Sequence, residues 1–304
     1  METSQPTLRR SLSLNLITFY GLGNILGAGI YVLVGKVAGE SGYLAPVSFL
    51  MASIIAGLTA FSFAELASRF PVSAGASIYV FEGFGVKQLS ILVGLLIVMT
   101  GVVSAATITR GFVGYLNVFI DLPGWLTVIL LLSLLGALAI WGIAESVRTA
   151  AVFTVLEILG LLLVLFVTAP FFTELPERIG EFTPGLELAI WPGIFSGAFL
   201  AFYAFVGFEG TVVAAGEARN PRKDLPRALV QSVALICLIY VLVQAVAVSS
   251  LPGLAGSNRA LADVGGVLMG TTGAILLTLG AIFSITGNLT ATVLSAPRIT
   301  YALA

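Results

Sequence analysis

Histidine is absent from the 304-residue chain, cysteine occurs once, and charged residues make up only 10% of it. A single cysteine excludes a disulfide within the chain, and we expect Cys237, which lies in an apolar run, to be a small buried hydrophobe. Without histidine the sequence lacks the commonest metal ligand and the usual side chain of proton relays, so proton transfer would have to use carboxylates. We therefore predict no metal site, no cofactor and no enzymatic activity.

Apolar residues dominate what remains, at 58% of the chain with a mean hydropathy of +1.08. A soluble domain carries about a quarter charged residues. Apolar segments close to or above the roughly 18–20 residues that cross a bilayer recur along the whole chain. The eight segments are 13–36, 43–68, 87–116, 125–144, 149–170, 192–216, 228–251 and 269–304. The sequence thus predicts an all-α, polytopic membrane protein.

The short connections between these segments carry an uneven share of Lys and Arg. If the N-terminus is cytoplasmic, ten basic residues lie on the inner side and four on the outer side, as the positive-inside rule requires. We therefore expect a multi-pass protein of the plasma or inner membrane, with its N-terminus in the cytoplasm. The basic loop 217–228 suits anionic lipid, and we expect no nucleic-acid partner.

Two apolar segments are interrupted by glycines. The first, "FYGLGNILGAGIYVLVG", has four of them between Gly21 and Gly29, and the second, which begins at Trp191, has another series between Gly193 and Gly216. Each glycine weakens a helix by roughly 0.5–1 kcal/mol relative to alanine. Five spans separate the two segments, so they cross the membrane in opposite directions. This arrangement predicts two inverted repeats, residues 1–170 with span 1 broken near 21–29 and a partial repeat, residues 171–304, with span 6 broken near 203–210.

A broken membrane helix exposes backbone groups that can bind a ligand. Freed N–H groups at a half-helix N-terminus suit a carboxylate, and freed carbonyls at a half-helix C-terminus suit an ammonium group. Two facing breaks could therefore hold a zwitterionic amino acid. The alternative is that the glycines only allow close helix packing, as in the small-residue pattern Gly23-x-x-x-Gly27. We expect the first break between Gly27 and Gly29, with Gly21 and Gly23 serving packing.

Five motifs add a resemblance to a known family. They are "GAGIYVLVG" (27–35), "FAELASRFPVSAG" (63–75), "FYAFVGFEG" (202–210), "GEARNPRKDLPRAL" (216–229) and "LSAPRITYALA" (294–304). Together they resemble the amino acid–polyamine–organocation superfamily, and most of all its cationic amino acid transporter-like permeases. The resemblance implies the leucine-transporter-type inverted-repeat fold. Because these permeases have twelve spans, we expect the chain to be a fragment that lacks the last four.

The resemblance also implies a binding site for the substrate. Its carboxylate would meet backbone N–H groups at Gly27, Ala28, Gly29 and Ile30, and its ammonium would meet carbonyls at Phe202, Tyr203 and Phe205. Tyr203 corresponds to an aromatic residue that covers the substrate in relatives. Glu209 corresponds to an acidic position used for pH response, whereas Glu157 stands near a position where sodium-independent relatives carry a lysine.

Glu157 and Glu209 are carboxylates inside apolar segments, where a charge costs at least about 2.5–3.5 kcal/mol. Both are candidates for coupling, by proton or substrate binding, and both could instead make structural hydrogen bonds. We expect secondary transport of an amino acid by alternating access, either proton-coupled or by exchange. The alternatives are an exchanger of cationic amino acids or polyamines, in which one of these glutamates reads the extra charge, and a channel-like or non-transporting membrane fragment.

Overall fold

The computed structural model describes residues 12–70, 75–141, 143–251 and 253–303. The polar start of the chain and residues 71–74 of the second motif lie outside the described residues. Within the described ranges the chain forms eleven α-helices. They are α1 (Leu14–Ile25), α2 (Ala28–Ser41), α3 (Ala45–Arg69), α4 (Ala76–Phe84), α5 (Lys87–Leu116), α6 (Gly124–Trp141), α7 (Ile143–Val167), α8 (Ala169–Arg178), α9 (Trp191–Tyr203), α10 (Pro221–Ser250) and α11 (Ala260–Leu303).

The described residues include five helical stretches that are long and apolar enough to cross a membrane. They are Gly29–Arg69, Lys87–Leu116, Trp191–Val212, Pro221–Ser250 and Ala260–Thr290. The helices α6 and α7 add shorter apolar stretches, Gly124–Leu138 and Val152–Val167. Large apolar side chains cover the outer faces of α5 and α6, including the exposed Leu96, Met99 and Leu134. The predicted all-helical membrane fold is confirmed.

The first apolar segment is divided at Leu26 and Gly27. The helix α1 ends at Ile25, Gly27 is extended (φ −163°, ψ −167°), and α2 begins at Ala28. The earlier glycines serve helix packing, because a Cβ atom on Gly21 would lie 2.7 Å from Ser232 Oγ of α10. A Cβ atom on Gly23 would lie 2.8 Å from Thr154 Cγ2 of α7.

The second glycine-rich segment is divided after Tyr203. The helix α9 ends there, and a 3₁₀ helix, Phe208–Glu217, continues the chain. Gly207 between them has a φ of +124°, a conformation that side chains with a Cβ rarely adopt. A Cβ atom there would also collide with the carbonyl oxygen of Asn24 in α1. The two broken segments therefore lie directly against each other.

Apolar side chains pack the interior around α2 and α10. Tyr31, Phe49, Phe205 and Tyr240 are fully buried, and the rings of Phe49 and Tyr240 meet edge to face with centroids 6.1 Å apart. Aromatic pairs of this kind contribute about 0.5–1.5 kcal/mol beyond their buried area. This core fixes the position of the first break, because Tyr240 lies beside it.

A second, smaller cluster lies at the end of the molecule where α1 begins. It includes Ile17, Tyr79, Val212 and Leu225, all buried. Here the backbone N–H of Arg219 donates to the carbonyl of Leu12 at 3.0 Å, within a single parallel bridge between Leu12 and Ala218. The chain before α1 is thereby joined to the chain after the 3₁₀ helix.

The helix α11 bends sharply at Gly270, whose φ of 63° and ψ of −155° are non-helical. Glycine adopts this conformation without steric cost. The part before the bend folds back, so that a Cβ atom on Gly265 would lie 2.6 Å from the carbonyl oxygen of Gly273. The eighth apolar segment, predicted to begin at residue 269, corresponds to the part after this bend.

Candidate functional site

The two helix breaks meet at Gly29 and Ala204. A Cβ atom on Gly29 would lie only 2.8 Å from the Cα of Ala204, a distance that real Cβ atoms do not tolerate against backbone. The absence of a side chain at Gly29 therefore lets the start of α2 touch the end of α9. The N-terminus of one half-helix and the C-terminus of another come together at this point.

The start of α2 presents backbone N–H groups that have no capping side chain. Gly27 is the N-cap residue and makes no side-chain hydrogen bond. Helix geometry leaves the N–H groups of the first turn, at Ala28, Gly29 and Ile30, without partners inside the helix. The helix dipole adds partial positive charge there, so this end suits a carboxylate.

Tyr240 of α10 contacts the first break through its hydroxyl group. Its hydroxyl donates to the carbonyl of Ile25 at 3.1 Å. Tyr240 therefore pairs a carbonyl that the break would otherwise leave free. This hydrogen bond stabilises the broken conformation at Ile25.

The end of α9 presents carbonyl oxygens. The carbonyl of Phe202 accepts from the N–H of Phe205 at 3.0 Å, and that of Tyr203 accepts from the N–H of Val206 at 3.2 Å. Each carbonyl oxygen has a second lone pair. Together with the partial negative charge of a helix C-terminus, this end suits an ammonium group.

A cavity of about 20 Å³ lies between the two ends. Its walls are formed by nine residues: Ile25, Gly27, Gly29, Ser104, Ile108, Tyr203, Ala204, Val206 and Asn288. A space of this size holds about one water molecule. An amino acid would therefore require the walls to move apart.

The hydroxyl of Tyr203 closes one side of this cavity. It donates to Ser104 Oγ at 2.6 Å and lies 3.2 Å from the carbonyl oxygen of the same residue. This bond joins α9 to α5 across the mouth of the cavity. Rotation of the Tyr203 ring away from Ser104 would enlarge the space between the two breaks.

The predicted site residues fall into two groups. Gly27, Gly29 and Tyr203 line the cavity. The side chains of Ile30 and Phe205 are instead fully buried in the core, and that of Phe202 is partly buried against it. In the described geometry the side chains of these three residues do not line the cavity, so they would contact a substrate through their backbone groups.

Six of the nine lining residues were not predicted from the sequence: Ile25, Ser104, Ile108, Ala204, Val206 and Asn288. Ser104 and Ile108 come from α5, and Asn288 comes from α11. Asn288 approaches the first break so closely that a Cβ atom on Gly27 would collide with its amide nitrogen. The available signal was a polar side chain inside an apolar segment, which Ser104 and Asn288 both show.

Glu209 lies outside the cavity walls. Its Oε2 accepts a hydrogen bond of 2.9 Å from the backbone N–H of Gly207, the residue with the positive φ. The carboxylate therefore pairs a backbone group that the second break sets free. This contact is the structural alternative left open for Glu209 by the sequence.

Glu157 lies deep in the protein, between α7 and α11. Its side chain is only 2% exposed, and Oε1 accepts a hydrogen bond of 2.8 Å from Ser284 Oγ. The hydroxyl of Tyr31 approaches the backbone carbonyl of Glu157 at 3.5 Å. No ion pair of Glu157 with a basic side chain occurs in the part of the chain that the structure describes.

Comparison with known proteins identifies the family to which the sequence is similar. The model of the amino acid permease family matches residues 12–304. The chain is 30% identical to cationic amino acid transporter 3, mitochondrial, of Arabidopsis thaliana, over 98% of this chain and 52% of that protein. It is also 30% identical to the branched-chain amino acid permease BcaP of Bacillus subtilis, over 82% of this chain and 57% of that protein.

Human cationic amino acid transporter 4 is a more distant relative, 27% identical over the whole of this chain and 51% of its own length. The chain thus spans about half the length of these curated relatives. The family match covers nearly the whole chain and includes both breaks and the cavity between them. It confirms the resemblance found in the motifs, and the chain belongs to the amino acid permease family, within the amino acid–polyamine–organocation superfamily.

Proposed function

We propose that the protein carries an amino acid across the membrane by alternating access, with the substrate held between the two helix breaks. The observation that carries this proposal is the meeting of a half-helix N-terminus and a half-helix C-terminus at one cavity, where Gly29 touches Ala204. An α-amino acid has its carboxylate and ammonium a few ångström apart. The two helix ends offer complementary partial charges at a similar separation.

In this proposal the backbone binds both charges of the substrate. The N–H groups of Ala28, Gly29 and Ile30 receive the carboxylate, with the Gly27 backbone at the edge of the site. The carbonyls of Phe202, Tyr203 and Phe205 receive the ammonium. The Tyr203 ring covers the bound amino acid, and its bond to Ser104 marks the closed position.

Glu157 is the carboxylate that we assign to proton coupling. It is buried, is not ion-paired to a described basic side chain, and joins two helices through a single hydrogen bond. A lone charge in such a place is costly, so proton loss and exposure to water would occur together when α7 and α11 separate. Glu209 is a weaker candidate, because its carboxylate already pairs with the Gly207 backbone.

The proposal extends to the repeats and to the orientation of the chain in the membrane. Residues 1–170 and 171–304 form inverted repeats, each opening with a broken helix, and the N-terminus lies in the cytoplasm of a cell whose plasma or inner membrane holds the protein. The names of the relatives include both cationic and branched-chain amino acids. The family alone therefore leaves open the charge of the substrate side chain.

Uptake into proteoliposomes tests this proposal. The full-length protein is reconstituted and given a panel of labelled amino acids, with imposed proton or sodium gradients. We expect uptake of at least one amino acid, stimulated by an inward proton gradient or by amino acid on the opposite side. Absence of both transport and binding across the panel would overturn the proposal.

A further inference from the structure

We propose that the cavity selects amino acids with a neutral, aliphatic or small polar side chain and rejects cationic ones. This inference rests on the proposed function, because it concerns the same site. It adds the charge and character of the side chain that the site accepts.

The walls of the cavity consist of uncharged residues. None of the nine lining residues in the described part of the chain is acidic. Ile25, Ile108 and Val206 provide aliphatic surface, and Ser104 and Asn288 provide neutral polar groups. A neutral side chain can pack against the first group or bond to the second.

The two membrane carboxylates lie away from the cavity. Glu209 is held by the Gly207 backbone, and Glu157 by Ser284. Neither lines the cavity. The carboxylates expected to read an extra positive charge are therefore directed into protein contacts and not toward the substrate.

The two helix ends match the two charges of one neutral amino acid. The end of α9 offers carbonyls for one ammonium, the α-ammonium that every amino acid carries. The start of α2 is electropositive and would repel a second cation. A lysine or arginine side chain would therefore be removed from water without a counter-ion, which is strongly unfavourable in a low-dielectric site.

Competition binding to the full-length protein tests the inference. Labelled alanine and leucine are bound, and unlabelled alanine, valine, leucine, serine, lysine and arginine compete. We expect the best neutral competitor to exceed lysine and arginine by at least about 100-fold, the scale set by an unpaired buried charge.

A carboxylate placed in the wall should reverse this preference. Asn288→Asp changes the size of the side chain little and adds an acid beside the first break. We expect the ratio of lysine to leucine affinity to rise at least tenfold. Ser104→Asp provides a second variant if Asn288→Asp does not fold. Gln231→Glu is the matched control, because it adds the same charge on the exposed face of α10, where Glu can still accept the bond from Thr18 Oγ1.

The outcomes separate the two proposals. If no amino acid binds, the proposed function fails and the inference fails with it. If lysine or arginine binds the unaltered protein more tightly than every neutral amino acid, transport stands and the inference is overturned. Unchanged lysine affinity in folded Asn288→Asp and Ser104→Asp would likewise contradict it, since these walls would then not face the substrate side chain.

Discussion

Ser284 Oγ donates a hydrogen bond of 2.8 Å to Glu157 Oε1, and both side chains are almost completely buried. The bond joins α11 to α7 at a depth where a carboxylate has few other partners. In a transporter that alternates between two openings, a contact of this kind has to break or follow the moving helices. In the proposed mechanism, Glu157 is the residue at which proton binding and helix movement are linked.

Glu157→Gln should abolish the dependence of uptake on the proton gradient while leaving exchange intact. The amide oxygen of Gln still accepts from Ser284, so the packing of α7 on α11 is kept, but the group no longer releases a proton. Uptake and exchange in proteoliposomes at several pH values measure the effect. Ser284→Ala serves as the comparison: it should lower stability by about 1 kcal/mol and retain gradient-driven uptake. Gradient-driven uptake by Glu157→Gln would refute the assignment.

Glu209→Gln should behave differently. Its amide oxygen can still accept the bond from the Gly207 N–H, so we expect unchanged stability and an unchanged pH profile of uptake. Glu209→Leu removes the acceptor and leaves the partly buried N–H of Gly207 unpaired, which costs about 1–3 kcal/mol. Thermal unfolding in detergent and uptake at several pH values distinguish the two variants. Loss of pH dependence in Glu209→Gln would transfer the coupling role to this residue.

Gly29→Ala should weaken substrate binding by about tenfold or more. The added Cβ would lie 2.8 Å from the Cα of Ala204, and overpacking of this kind typically costs about 1–3 kcal/mol. The start of α2 and the end of α9 must then move apart, so one amino acid no longer contacts both. The measurement is equilibrium binding of a labelled substrate. Gly57→Ala is the control, because a Cβ there meets no atom within 4 Å; equal binding by both variants would contradict the proposed site.

Tyr203→Phe should loosen the closed side of the cavity and speed the release of bound amino acid. The substitution removes a neutral hydrogen bond of 2.6 Å to Ser104, with an expected effect of about 0.5–1.5 kcal/mol. Ser104→Ala should have a smaller effect, because the Tyr203 hydroxyl can still donate to the backbone carbonyl of residue 104, and the double variant should add little to Tyr203→Phe. Exchange rates of labelled substrate complete this double-mutant cycle. Fully additive effects would show that the bond does not hold the cavity closed.

Acid should weaken a contact outside the membrane, at Glu181. Hydrogen bonds from Arg178 and then Tyr43 hold the pKa of Glu181 below its ordinary value of 4.5. A carboxyl group with a lowered pKa stabilises the fold above its ordinary pKa, and that contribution is lost as the pH falls through the lowered value.

Thermal unfolding between about pH 5 and pH 2 should therefore show a loss of stability that is smaller in Glu181→Gln. Glu187→Gln, at an exposed position in the same connection, is the comparison and should retain the full loss. The same pH profile in all three proteins would exclude a contribution from Glu181.

The overall fold was readable from the sequence because its signals are local. Apolar length identifies helices that cross a bilayer, and clustered glycines mark where such helices break. The first break lies at Leu26–Gly27, at the edge of the 27–29 interval that the glycines indicate. The contacts of Gly21 with Ser232 and of Gly23 with Thr154 likewise follow from the use of small residues at helix interfaces.

The residues that form the walls of the cavity could not be predicted from such local signals. Ser104 and Asn288 are separated by more than 180 positions in the chain, and only the packing of α5 and α11 against the breaks brings them together. The role of Glu209 also depends on a backbone detail, the positive φ of Gly207, which leaves an N–H group for the carboxylate. Sequence patterns give the period of a helix but not which side chains from distant helices converge.

The bridge between Leu12 and Ala218 has a mechanical consequence. It joins the chain just before α1, the first half of the first broken segment, to the chain just after the 3₁₀ helix that ends the second. The hydrogen bond between the Arg219 N–H and the Leu12 carbonyl therefore couples the movements of these two parts of the chain. Opening of the site toward this end of the protein thus requires either that the two parts move together or that this hydrogen bond break first.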